Sequence, residues 1–217
     1  GDGVLGGYHT FNRSTWLKIA GGVVAGLADG EYSTVFAGDV SGTNQNVDVT
    51  VDTAISSNAY VQTVRFNSPT ATTLSIDGGQ RLNIPGGGIL VTPSAGAVGI
   101  FGAGTVDQGG NVTLAIHHYG TQPLTIGAQL GTSMNTEPVC KVGPGELILT
   151  NDLNQFRFLQ LFGGTVTLSA LRDDGIRQPG GSRNIIIGNG TLRYVGAGDS
   201  CNRLIGLRGN AVIDASG

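Results

Sequence analysis

Short apolar strands return along this chain at a loosely fixed step. TVRF, GILVT, NVTLAI, ELILT, GTVTLS, GTLRY and NAVID are each four to six residues long, with turn residues between them. Phe66, Ile89 and Val112 stand 23 residues apart. Leu147 to Val166 is 19 residues, Val166 to Leu192 is 26, and Leu192 to Val212 is 20. The step from Val112 to Leu147 is 35, and it contains the irregular stretch 127–140, read here as a projecting loop. Residues 172–182 read as a second projecting loop. Several short strands in a period of roughly 20–26 residues predict an all-β fold, a β-solenoid with one period per coil. One coil cannot bury its inward side chains, whereas coils stacked at about 4.8 Å place apolar residues over one another.

Composition agrees with strands and corners. The chain has 217 residues and 38 glycines, and only 12% of it is charged. Glycine supplies positive-φ corners, and a Thr-, Val- and Asn-rich remainder favours strands over helices. The best helical candidate is Trp16 to Leu27, interrupted by Gly21, Gly22 and Gly26. Residues 1–45 form a less regular N-terminal part. That part belongs to a single solenoid segment, 1–217, which reads as part of a larger chain, because Gly1-Asp2-Gly3 is no initiator sequence and NAVID still reads as a coil. A β-sandwich is the rival fold, and the Gly-Gly pairs at 78–79, 109–110, 163–164 and 180–181 suit its tight hairpins. Within KVGPGELILTN (141–151), Gly-Pro-Gly is a corner leading into the strand Glu146 to Thr150. That strand is expected to pair with GTVTLS downstream and NVTLAI upstream.

Residues 141–168 resemble the autotransporter-associated β-strand repeat of very large secreted bacterial proteins. The repeat opens Lys-x-Gly-x-Gly-x-Leu-x-Leu, matched by Lys141, Gly143, Gly145, Leu147 and Leu149. Asn154 and Phe156 match its Asn-x-aromatic pair. Gly163, Gly164, Thr165, Val166 and Leu168 match its closing Gly-Gly-Thr-Leu run. Where the repeat has a small Gly-x-Thr pair, this chain has Phe158 and Gln160. The resemblance implies a right-handed parallel β-helix in an extracellular or cell-surface protein. It carries over no catalytic residue.

Chemistry is sparse in the sequence. Net charge is −3, with no basic run, so the footprint of a nucleic-acid binder is missing. No apolar run approaches the roughly 20 residues of a membrane span. Asp48 and Asp52 share a strand face but stand roughly 13 Å apart, beyond a glycosidase pair. Asp173-Asp174 reads as a solvated loop between Arg172 and Arg177. His117 and His118 end a strand and point to opposite faces, so they cannot chelate one ion together. A surface or corner position is expected for them. His9 is isolated. Three sequon matches begin at Asn12, Asn111 and Asn189. Cys140 and Cys201 fit no metal spacing and lie nearly three coils apart, roughly 14 Å along the axis. They are bridged through loops, free, or bonded to another chain.

No enzyme activity, cofactor or metal site is therefore expected. The leading expectation is an extracellular structural segment, part of a stalk, filament or surface layer, that self-associates end to end or continues in a larger chain. An adhesin or glycan-binding module using the loops is the alternative, and a polysaccharide-active β-helix enzyme is the second alternative.

Overall fold

The computed structural model describes residues 3–36, 38, 45–109, 112–131, 138–171, 184–201 and 203–216. Two eight-stranded parallel sheets run through it. The first is built from Asn46–Val49, Thr63–Phe66, Gly88–Val91, Leu114–His118, Val139–Val142, Phe158–Leu161, Asn184–Ile187 and Leu204–Leu207. The second is built from Thr53–Ile55, Thr72–Ile76, Val98–Phe101, Leu124–Ile126, Glu146–Leu149, Thr165–Leu168, Gly190–Tyr194 and Ala211–Asp214. A third sheet adds Ala59–Tyr60, Arg81–Asn83, Thr105–Asp107 and Gln129–Leu130. Successive strands along the chain alternate between sheets, and each pairs with its counterpart one coil away. The fold is an all-β solenoid of parallel strands.

The pairing places like over like. Val47, Val64, Ile89, Ile116, Lys141, Leu161, Ile187 and Leu207 stand in one register column of the first sheet. Thr72, Val98, Leu124, Leu147, Val166, Leu192 and Ile213 form the matching column of the second. Nearly all are buried in one continuous core between the sheets. Steps between partners run from 17 to 27 residues in the first column. The spread arises because strand positions are fixed by the ladder while corners absorb extra residues. Asparagines help hold the corners: the side-chain oxygens of Asn58, Asn154 and Asn189 accept backbone N–H bonds from Arg81, Leu130 and Asn210, one coil away.

Several expectations change. The glycine pairs at 78–79 and 163–164 turn corners between parallel sheets and join no hairpins. The strand Glu146–Leu149 does pair with Thr165–Leu168, but its upstream partner is Leu124–Ile126. NVTLAI instead contributes Leu114–His118 to the first sheet, against Val139–Val142. Each coil carries strands of different sheets, so a series drawn from Phe66 through Val112 to Leu147 crosses between them. Residues 127–140 contain Gln129–Leu130 of the third sheet and the start of Val139–Val142, while 132–137 lie outside the described residues. The loop expected at 172–182 also lies outside them.

Trp16 to Leu27 is not helical. Thr15–Ala20 and Val23–Gly26 form an antiparallel hairpin through Gly21 and Gly22, both at positive φ. Gly3–Val4 and Thr10–Phe11 pair along the other side of Thr15–Ala20. This small antiparallel sheet lies against the outside of the first parallel sheet, where buried Trp16 packs with Leu27 and Leu90. Ser33 then bridges to Val47 and covers part of the first strand's edge.

Candidate functional site

The repeat-like segment builds a polar corner inside the apolar core. Lys141 occupies the inward position between Ile116 and Leu161 and is fully buried. Its ammonium donates to the carbonyls of Val142 at 3.3 Å, Gly143 at 2.8 Å and Gly163 at 3.2 Å. Three donors thus meet three carbonyls that turn away from the ladder at the corner. Burial still pulls the Lys141 pKa down to about 8. Gly143, at φ +89°, and Gly145 are needed beside it. A Cβ would lie 2.4 Å from the His118 carbonyl oxygen at Gly143 and 2.6 Å from the His118 ring at Gly145. Gly164 repeats the device one coil on, with φ +70° and only 2.4 Å from a Cβ to the Gly145 oxygen. Leu147, Leu149, Val166 and Leu168 bury their side chains below this corner, and Phe156 closes the far wall. Gly163 and Gly164 lead into the return strand, which Thr165 opens opposite Glu146.

The two histidines face opposite sides, as the strand geometry predicts, but neither sits at the surface. His118 is fully buried in the inward column that holds Phe66 and Val91. Its ring nitrogens lack a well-formed hydrogen bond. Burial first, and the nearby Lys141 charge second, lower its pKa to about 4. His117 faces outward into the seam beneath the N-terminal sheet. Its Nε2–H donates to the Gly7 carbonyl at 3.0 Å, which leaves Nδ1 to accept from the Tyr119 hydroxyl at 3.4 Å. Trp16 meets the His117 ring edge-on. Burial again lowers the pKa to about 4.

The same seam continues to the surface at the tip of the hairpin joining Thr10–Phe11 to Thr15–Ala20. Arg13 lies over the Tyr119 ring, 5.7 Å from its centroid. Tyr119 also shares a 3.4 Å hydroxyl contact with Thr10. The Tyr8 hydroxyl accepts from the Thr113 backbone N–H at 3.1 Å. Nearby, Arg65 is buried and donates to Asp48 at 2.6 Å and Asp29 at 2.9 Å, with its guanidinium 3.8 Å over Tyr32. Burial pulls the Arg65 pKa down, and the two carboxylates more than offset it.

The carboxylates do not assemble a catalytic pair at Asp48 and Asp52. Asp48 is committed to Arg65, and Asp52 accepts the Thr73 N–H at 2.7 Å. On the outer face of the second sheet, Arg193 contacts Glu146 at 3.3 Å and Asp214 at 3.1 Å, while Thr167 donates to Glu146 at 2.6 Å. Among the described residues no group of three or more His, Cys, Asp or Glu is placed to hold a metal ion. Cys140 and Cys201 are free thiols, and burial raises the Cys140 pKa. No described helix is long and apolar enough to cross a membrane.

Periodicity alone did not reveal Lys141 as a core residue. The signal was present: Lys141 stands two residues after Val139, with the inward parity of the strand. The seam under the N-terminal sheet left a weaker trace, a single Trp in a Gly-rich stretch.

No family model matches the chain, and no solved structure matches it. The chain is 26% identical over 216 residues to an adhesin, the BmaC autotransporter of Brucella suis biovar 1 (strain 1330). That similarity covers 92% of this chain and 6% of the relative. The chain therefore spans a small fraction of the relative's length. The chain is thus a β-solenoid that is similar, over most of its own length, to a small part of an autotransporter adhesin.

Proposed function

We propose that this chain is a non-enzymatic β-solenoid segment of a secreted or cell-surface protein, which carries adhesive surfaces away from the cell on a rigid stalk. The observation that supports this most directly is the uninterrupted pair of eight-stranded ladders, in a chain similar over 92% of its length to an autotransporter adhesin. Stacked coils give length at constant cross-section, which suits a spacer. Fusing the segment to an outer-membrane anchor and treating whole cells with protease tests the reading. Surface digestion and longer rods in electron micrographs of tandem copies support it, and a collapsed or globular tandem product rejects it.

The same proposal includes end-to-end association. Leu207 and Ile213 continue the inward columns, yet they are 57% and 48% exposed. A further coil, from the same chain or from a second copy, would cover them. Sedimentation across a concentration series checks this, and a monomer at every concentration removes the second-copy form. A second reading, adhesion by the chain itself, is favoured by the relative's description as an adhesin. Loss of cell attachment on masking the segment's surface with antibody fragments would support it.

A further inference from the structure

We propose that residues 29–36 form a stop for the ladder, which closes the N-terminal end of the solenoid to strand addition and bars copies of the chain from stacking head to tail. The starting observation is that the two ends differ. In the first strand, Asn46, Val47, Asp48 and Val49 are at most 8% exposed, whereas Leu204, Ile205 and Leu207 of the last strand are 39–67% exposed. Ser33 accounts for much of the difference. Its N–H donates to the Asn46 carbonyl and its carbonyl accepts from the Asp48 N–H, both at 2.8 Å. Those are two of the bonds that a preceding coil would make. The chain then leaves the ladder without presenting a new edge. The Tyr32 N–H is bound back to the Asp29 carbonyl at 3.2 Å, and the Val35 N–H to the Ser33 hydroxyl at 3.1 Å. Phe36 packs against the solenoid core.

The stop is clamped from both sides. Arg65, one coil on, donates to Asp48 of the first strand and to Asp29 of the stop, with its guanidinium over the Tyr32 ring. From the antiparallel sheet, the Trp16 backbone N–H donates to the Tyr32 hydroxyl at 3.2 Å, and the Thr15 hydroxyl meets it at 2.8 Å. The N-terminal sheet therefore holds the stop in place as well as covering the wall. Leu204–Leu207 has no such protection, and it carries neither a charge nor a proline to blunt its edge. Head-to-tail stacking needs two different free edges, and it grows without limit where both are free. With one end closed, a second copy can meet the open end only with its own open end, so association stops at a pair.

The stop rests on the end-to-end association proposed above and narrows it. Sedimentation of the purified chain across a concentration series should show no species larger than a dimer. Ser33→Pro deletes the N–H that Asn46 accepts, and Phe36→Asp sets a charge against the core. Each variant, once shown to keep a strand-rich circular dichroism spectrum and a cooperative melt, should form species larger than a dimer as concentration rises. Adding Leu207→Lys blunts the open edge and should abolish that growth. Hydrogen exchange on the unmodified chain reads the stop without a substitution, and it decides the matter if neither variant folds. The Ser33 and Asp48 amides should be protected as in the inner strands, while edge amides of Leu204–Leu207 exchange freely. The proposal is overturned if the unmodified chain grows beyond a dimer, if the folded variants do not, or if Leu207→Lys leaves their growth intact. Exchange at Ser33 and Asp48 as free as in the last strand overturns it too. An unmodified chain that stays monomeric while the variants grow removes the tail-to-tail pair and leaves the stop in place.

Discussion

Lys141 and His118 place titratable groups where the column rule calls for Ile and Phe, and they make stability depend on pH. A histidine neutral in the fold down to about pH 4, but titrating at 6.5 when unfolded, lets the unfolded chain bind the extra proton between those values. Stability is therefore full above about pH 6.5 and falls as pH drops towards 4, by about 3 kcal/mol for each of His117 and His118. Urea titrations at pH 7 and pH 4.5 should show this drop. His118→Leu, which matches the apolar character of Phe66 and Val91, should remove roughly half of it and cost little at pH 7. An unchanged pH profile in that variant would mean that the ring is not buried as described. Lys141 acts at the other end of the scale. Its folded pKa of about 8 lies below the ordinary 10.5, so stability should rise by about 3 kcal/mol between pH 8 and 10.5. Lys141→Met should abolish that rise, at the expense of three corner carbonyls left without their donor.

Corners and the antiparallel sheet belong to the scale of the element. Gly143 and Gly163 look equivalent in the sequence, but their surroundings differ. A Cβ at Gly143 meets backbone at 2.4 Å from a positive-φ residue, while one at Gly163 meets the Gly143 oxygen at 3.1 Å. Gly143→Ala should thus cost about 2–4 kcal/mol and Gly163→Ala about 1 kcal/mol or less, read by chemical denaturation. Trp16→Ala empties the seam between the N-terminal sheet and the solenoid wall and should cost about 3–5 kcal/mol. Hydrogen exchange should rise in Thr15–Ala20 and Val23–Gly26 before it rises in the ladders. Uniform exchange across the chain would show that the sheet and solenoid unfold as one unit. The strand ELILT and its downstream partner were legible because apolar alternation and a Gly-Gly corner recur there. Its upstream partner was not, because three sheets share one coil and a series of apolar residues does not say which sheet each belongs to. The hairpin at Gly21-Gly22 was hidden because Trp16, Ile19, Val23 and Leu27 also fit a helical stripe, and only the paired glycines spoke against it. Arg13 carried no signal at all, since its placement follows from a backbone angle.

At the scale of the whole molecule, the ladders make the coil the unit of construction, and a coil should be removable. Leu161 pairs with Ile187, so joining Gln160 to Ile187 deletes one full period, residues 161–186. The same cut takes Thr165–Leu168 out of the second sheet, and Gly190–Tyr194 can then stack on Glu146–Leu149, because Val166 aligns with both Leu147 and Leu192. In a solenoid each coil contacts only its neighbours, so this variant should keep a cooperative melt and a strand-rich circular dichroism spectrum. Deleting half as much, residues 161–173, should not, because it brings no strand into register and turns inward residues outward. The two deletions separate a stacked solenoid from a fold whose strands depend on distant parts of the chain. If both variants lose cooperative unfolding, the coils are not interchangeable and the spacer reading loses its physical basis. If only the half-period deletion fails, the solenoid can change length by whole coils without disturbing the N-terminal sheet packed on its wall.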